Sequence, residues 1–197
     1  MIPRLTTLMA VLLAGCASVA PPPPPASVHS VAVFPPTNRT GDGLLVAGAS
    51  LLEKYAFSTD RVTVPDVLAA ELRSALMHRG FSVVSPDVVH GATGGRTVMS
   101  PDAAAEIARQ GHLEAPVLLV AIDRWEPDAD THPAFVIVAL EATLVDPATG
   151  AVLWSAHRRA RPIATPATVA LGTAYEIAAH KAAEELVGPW GEERPAS

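Results

Sequence analysis

The sequence predicts a mixed α/β domain (α+β mixed) of order β-α-β-α-β-β-β-α, with helices packed on one mixed sheet. Three observations predict it. Short apolar runs alternate with helix-period segments through the first part of the chain. The segment from Ala134 to Arg161 reads as two alternating strands around a turn. An alanine-rich helical segment then closes the chain. Strand–helix alternation followed by a meander gives a mixed sheet with helices against it.

The first strand is Val31 to Phe34, an apolar run stopped by Pro35 and Pro36. Thr37 to Asp42 has turn chemistry and reads as a polar loop. The stretch from 43 to 60 is ambiguous, because Gly43 and Gly48 weaken any helix there. The first clear helix starts at Thr63-Val64-Pro65-Asp66: Thr63 can cap, Pro65 fits the first turn, and Asp66 suits the positive end of the helix dipole. Val64, Leu68, Leu72 and Leu76 recur every four residues on one face, and Gly80 closes the helix. Phe81 to Val84 follows as a strand, and His90 to Arg96 as a glycine-rich loop.

A second helix opens at Ser100-Pro101-Asp102, buries Ile107 and ends at Gly111. Val117 to Trp125 is an almost continuously apolar strand, the pattern of a central position. In the next strand, Ala134 to Val145, Val136, Val138, Leu140, Ala142 and Leu144 share one face while Glu141 and Thr143 point away. Asp146 to Gly150 is a turn, and Ala151 to Arg161 returns as the hairpin partner. The last helix opens at Thr165-Pro166. Its apolar stripe is Ala170, Ala174, Ile177, Ala178 and Leu186, and Gly188-Pro189 ends it.

Before this domain lies a segment of another kind. Arg4 precedes an uncharged apolar run, Leu5 to Leu13, too short to span a bilayer, which takes ~20 apolar residues. Leu13-Ala14-Gly15-Cys16 follows directly and resembles the lipobox of bacterial lipoproteins. The resemblance implies cleavage before Cys16, lipid on its thiol and, with Ala17 next, the outer membrane facing the periplasm. Residues 1–15 are then a signal peptide and 16–30 a tether. Within the tether, Pro21 to Pro25 favours a stiff polyproline II spacer of ~3.1 Å per residue. The single domain spans 31–188, and 189–197 form a disordered tail.

Three motifs in the domain carry a second resemblance. They are Val33-Phe34-Pro35-Pro36-Thr37-Asn38-Arg39-Thr40, Arg79-Gly80-Phe81 ahead of a short strand, and Leu144-Val145-Asp146-x-x-Thr149-Gly150-x-x-Leu153-Trp154. Together with the element order they resemble the TolB amino-terminal-like domain, also found in CsgG and LpoB, over roughly 30–187. The resemblance implies the fold; it is poorly specific for function.

Composition and motifs narrow the function classes. Hydrophobic residues at 49% allow a real core, and a formal charge of −6 argues against a nucleic-acid binder. One cysteine leaves no internal disulfide. The seven histidines (His29, His78, His90, His112, His132, His157 and His180) share no helix-face spacing for a metal. Asp123, Glu126, Asp128 and Asp130 form an acidic cluster without the glycine of a calcium loop, and read as a solvated loop. Arg158, Arg159 and Arg161 read as a charged sheet edge, and Trp125 and Trp154 as core plugs. Gly91 to Gly95 lacks the lysine of a phosphate loop. No nucleophile–base set is visible, so catalytic residues, metals and cofactors are expected to be none, and an enzyme acting through Asp123 or His132 ranks last.

The expected function is non-enzymatic: a lipid-anchored periplasmic accessory or assembly protein that binds envelope protein partners. The alternatives are a homo-oligomeric component of a CsgG-like export system, or an LpoB-like activator of peptidoglycan synthesis. A CsgG-type pore would need membrane-inserting hairpins, and no spare alternating segments exist for them. Replacing Cys16 with Ser is expected to abolish lipid attachment and move the protein out of the membrane fraction. Mass spectrometry and fractionation read this directly; an unchanged lipid mass and membrane partition would refute it.

Overall fold

The structure, a computed structural model, describes residues 22–46 and 62–191. The Leu13–Cys16 motif, most of the 43–60 segment and residues 192–197 lie outside the described residues. The elements are β1 (Ser30–Val33), β2 (Thr37–Asn38), α1 (Val64–His78), β3 (Ser82–Val83), α2 (Pro86–Thr93), α3 (Pro101–Gln110), β4 (Val117–Pro127), β5 (Phe135–Val145), β6 (Val152–Ala164) and α4 (Leu171–Val187). The mixed α/β class holds, with two elements added to the expected order, β2 and α2.

The sheet runs β3-β1-β4-β5-β6. β1 lies parallel to both β3 and β4, and β4 to β6 form the antiparallel meander. β2 also pairs parallel to β4, four residues further along it than β1 does. β1 and β2 are therefore one strand line interrupted by Pro35-Pro36, where no N–H is available for a ladder bond. The expected polar loop starts later, and Asn38 turns it. Its Oδ1 accepts from the Thr40 N–H at 3.0 Å, and its Nδ2 donates to the Asp42 carbonyl at 2.7 Å.

Alternation along β1 sorts the core into two layers. Val31 and Val33 face the main core under α1 and α4, while Ala32 and Phe34 face a smaller one under α2 and α3. All four leucine-period residues of α1 are buried. Its ends follow the sequence: the Thr63 N–H donates to Asp66 Oδ2 at 2.9 Å, and Gly80 adopts φ +80°. The Gly80 N–H reaches Met77 O and the Phe81 N–H reaches Leu76 O, the paired bonds of a Schellman end.

α2 corrects the expected glycine-rich loop. Ser85-Pro86-Asp87 repeats the start signal of Ser100-Pro101-Asp102. Ser85 accepts from the Val88 N–H, and Gly94 closes the helix at φ +59°. Gly91 is tolerated inside because α2 packs on α3, burying Val89 and Thr93. Gly111 makes that approach possible, since a Cβ there would stand 2.3 Å from the Ala92 Cβ.

α4 starts at Leu171, not at Thr165. Thr165 instead ties the end of β6 to the start of β5, its hydroxyl donating to Pro133 O and its N–H to Ala134 O. Ala170 is exposed and Ile177 half-buried, so the buried stripe differs from the expected one. It comprises Ala174, Tyr175, Ala178, Ala179, Ala182, Ala183, Leu186 and Val187.

Both ends of the domain reach further than expected. Trp190, placed in the tail by sequence, is 1% exposed. It meets Trp154 edge-on at 4.9 Å between ring centroids and Phe81 at 5.4 Å. Val28, placed in the tether, is buried in the main core. Replacing Trp190 with Ala is expected to cost about 3–5 kcal/mol of stability in urea unfolding, as for other buried aromatics; a frayed residue would cost nothing.

The hairpin turn carries a pH signature. Asp146 accepts from the Ala148 N–H at 2.8 Å and the Thr149 hydroxyl at 2.9 Å, and Gly150 takes φ +75°. Those bonds, the backbone one first, hold the Asp146 carboxyl below the usual carboxylate range. A carboxyl depressed on folding adds stability above its unfolded pKa and loses it as pH falls through the folded one. Asp146→Ala should therefore flatten the acid limb of the stability–pH curve and change the neutral-to-alkaline limb little.

Candidate interaction surface

The meander has two unlike faces. On one, Val136, Val138, Leu140, Ala142 and Leu144 of β5 are fully buried under the main core. On the other, α2 and α3 cover the β1 side and the sheet end near Val117 and Val145. Beyond them, towards Asp123, Glu141, Ser155 and His157, the sheet is exposed. Leu119 and Ile137 are half-buried there, and Ala121 and Ala139 lie in the floor between larger neighbours.

Arg39 sits at the edge of this surface. Its guanidinium lies 2.7 Å from Glu141 and 3.5 Å from Asp123. The hydrogen bond to Glu141 is the main reason its pKa is raised above the ordinary value. A notch of about 90 Å³ opens beside it, lined by Thr37, Met99, Leu119, Ala121 and Glu141. The Thr37 hydroxyl closes one end by donating to Val98 O at 3.0 Å. Met99 stands exposed at its rim. Arg39 entered the sequence reading only within a fold motif. Its role depends on β2 pairing with β4, which composition does not reveal.

The acidic cluster is dispersed into separate tasks. Asp123 faces Arg39, and Glu126 pairs with Arg124 at 2.6 Å. Asp128 accepts from the Ala134 and Phe135 N–H groups at 2.9 and 3.1 Å, closing the β4–β5 connection. Asp130 is exposed. Among the described residues, no three His, Cys, Asp or Glu side chains stand close enough to hold a metal. Of the histidines, His180 pairs with Glu71 at 2.8 Å, and His157 lies on the open sheet face.

The basic trio is corrected in one member. Arg159 and Arg161 are exposed, but Arg158 is buried. Trp154, Ala156 and Arg158 alternate onto the inward face of β6, opposite Leu144, Ala142 and Leu140, so Arg158 points into the domain, and a bulge follows it. Between Val138 and Leu140 the β5–β6 register slips, with one extra residue on β6, which frees carbonyls from the ladder. The Arg158 guanidinium turns inward and donates to Val138 O and Arg161 O, while its Nε meets Glu185 of α4 at 2.8 Å. β4 is bulged at the same level of β5, beside Asp123. The two tryptophans do not form a pair. Trp125 meets Tyr175 edge-on at 6.0 Å, whereas Trp154 meets Trp190.

No protein-family model and no curated protein matches the sequence. Solved structures similar to this chain include the PelC dodecamer from Paraburkholderia phytofirmans, with TM-score 0.46, 17% identity, and 85% of this chain and 91% of that chain covered. The lipoprotein GNA1162 from Neisseria meningitidis gives TM-score 0.45 and 19% identity, covering 70% and 81%. The LpoB C-terminal domain from Salmonella enterica gives 0.44 and 18%, covering 75% and 87%. At these identities the likeness is one of chain path, not of chemistry.

Arg158→Ala is expected to lower stability by about 1–3 kcal/mol, because it strands buried carbonyls. The exposed neighbour change Arg159→Ala should move it by less than about 0.5 kcal/mol. Paired urea titrations of the two variants check the contrast.

Proposed function

We propose that this chain is a lipid-anchored accessory protein of the bacterial envelope, held on the periplasmic side of the outer membrane through Cys16, which binds a protein partner. The observation that carries the partner-binding part is the unequal cover of the meander. One face is sealed by α1 and α4, while the other is left exposed over β4 to β6, with half-buried apolar residues beside a charged rim. The anchoring part rests on the Leu13-Ala14-Gly15-Cys16 motif behind its apolar run. Two or more acyl chains hold a protein stably where one does not. Such a protein works by holding a partner at a membrane surface, and the groups described above suit that better than bond-breaking.

A photo-crosslinking residue placed at Thr143 or His157 should capture one identifiable envelope protein in living cells. The same residue at exposed Met77, on α1, should not. Equal capture at both positions, or none at either, would count against the reading.

A second reading, a homo-oligomeric component of an export system, is favoured by one feature. β6 ends the sheet, and its outer edge pairs with no strand among the described residues. The size of the detergent-extracted protein separates the two: a ring-sized particle supports the oligomer, a monomer removes it.

A further inference from the structure

The proline segment is not free of the domain. The Trp154 indole Nε1–H donates to Pro22 O at 2.6 Å, across 132 residues of sequence. Trp154 itself is buried, wedged edge-on against Trp190. A tight turn follows the prolines, with the Val28 N–H reaching Pro25 O at 3.0 Å, and Val28 then enters the main core. The segment is thus held at both ends, by an indole donor at Pro22 and by a buried side chain at Val28. An indole N–H on a proline-segment carbonyl, beside an aromatic wall, is how aromatic-lined grooves take polyproline ligands: the backbone is already extended and loses little freedom on docking.

The geometry points to an intramolecular docking site in which Trp154 takes the chain's own proline segment and thereby sets how far the domain stands from the membrane. It rests on the lipid at Cys16 proposed above. With Pro22 docked, only six residue steps separate Cys16 from the domain body, a reach of roughly 20 Å even fully extended. With Pro22 released, the next fixed point is Val28, and the reach becomes roughly 40 Å. The latch is thus a two-position standoff. The closed form keeps the Trp154–Trp190 pole beside the lipid, and the open form lets the domain reach a partner further into the periplasm. One hydrogen bond between uncharged partners is a weak latch, so both positions are accessible.

The test uses Trp154→Phe, which keeps an aromatic ring against Trp190 and removes the donor along with some ring volume. The lipidated protein, labelled through a cysteine introduced at exposed Glu114, is placed in vesicles of phosphatidylethanolamine and phosphatidylglycerol carrying headgroup acceptors. Energy transfer should fall in the variant, corresponding to a mean displacement of up to roughly 20 Å. Circular dichroism and urea unfolding confirm that the variant is folded. An unchanged distance in a folded variant would overturn the proposal. A second measurement reads the docking without any membrane: hydrogen exchange at the Trp154 indole in the lipid-free Cys16→Ser chain. Exchange that is slower in this chain than after removal of residues 17–25 is the expected result, and equal rates in the two chains overturn the docking. Slow exchange in a protein that carries no lipid in cells would sink the anchor, and with it the standoff, while leaving the docking site in place.

Discussion

The fold depends on how closely α4 can approach the sheet. Ala174, Ala178, Ala179, Ala182 and Ala183 are all fully buried on one helix. Side chains this small let the helix axis lie near both β5 and α1, so that Val136 to Leu144 and the leucine face of α1 fill one continuous core. A larger residue at any of these positions would push the helix outward, and close-packed cores accommodate such changes poorly. The ion pair between Arg79 of the α1 end and Glu184 of α4, at 2.9 Å, lies on the surface of this contact. It follows from the packing and does not create it.

Much of this arrangement was legible in the sequence, because local rules and burial agree. The Thr63–Asp66 start, the four-residue leucine period, the β5 alternation and the Asp146–Gly150 turn each satisfy a local requirement that the tertiary structure leaves alone. The failures share a cause. α2 was hidden because Gly91 lowers helix propensity, while packing on α3 overrides it. β2 is two residues long and exists only through its pairing with β4. Trp190 and Val28 are assigned by contacts made far away in sequence, which no window around either residue contains.

The candidate surface was less legible than the fold. Acidic and basic clusters counted along the chain turned out to be residues with separate structural partners, and Arg158 shows why. Plain strand alternation points it inward, and the bulge that follows gives its guanidinium carbonyls to satisfy, so that a charge expected at the sheet edge becomes an internal brace. Arg39 shows the converse, acquiring Glu141 and Asp123 as neighbours only once the sheet is assembled. Charge proximity in sequence and charge proximity in space are different quantities in a bulged meander.

The sheet order also constrains assembly in time. β4, β5 and β6 are joined by short connections and can pair as soon as they are synthesised. β1 comes first in the chain yet lies between β3 and β4, both downstream of it. It has no sheet partner until those segments exist, and its pairing with β4 closes a long loop. The amino-terminal strand is therefore among the last parts of the sheet to be locked. Val28 and Pro22, just ahead of it, gain their contacts with the core and with Trp154 only as the rest of the domain is completed.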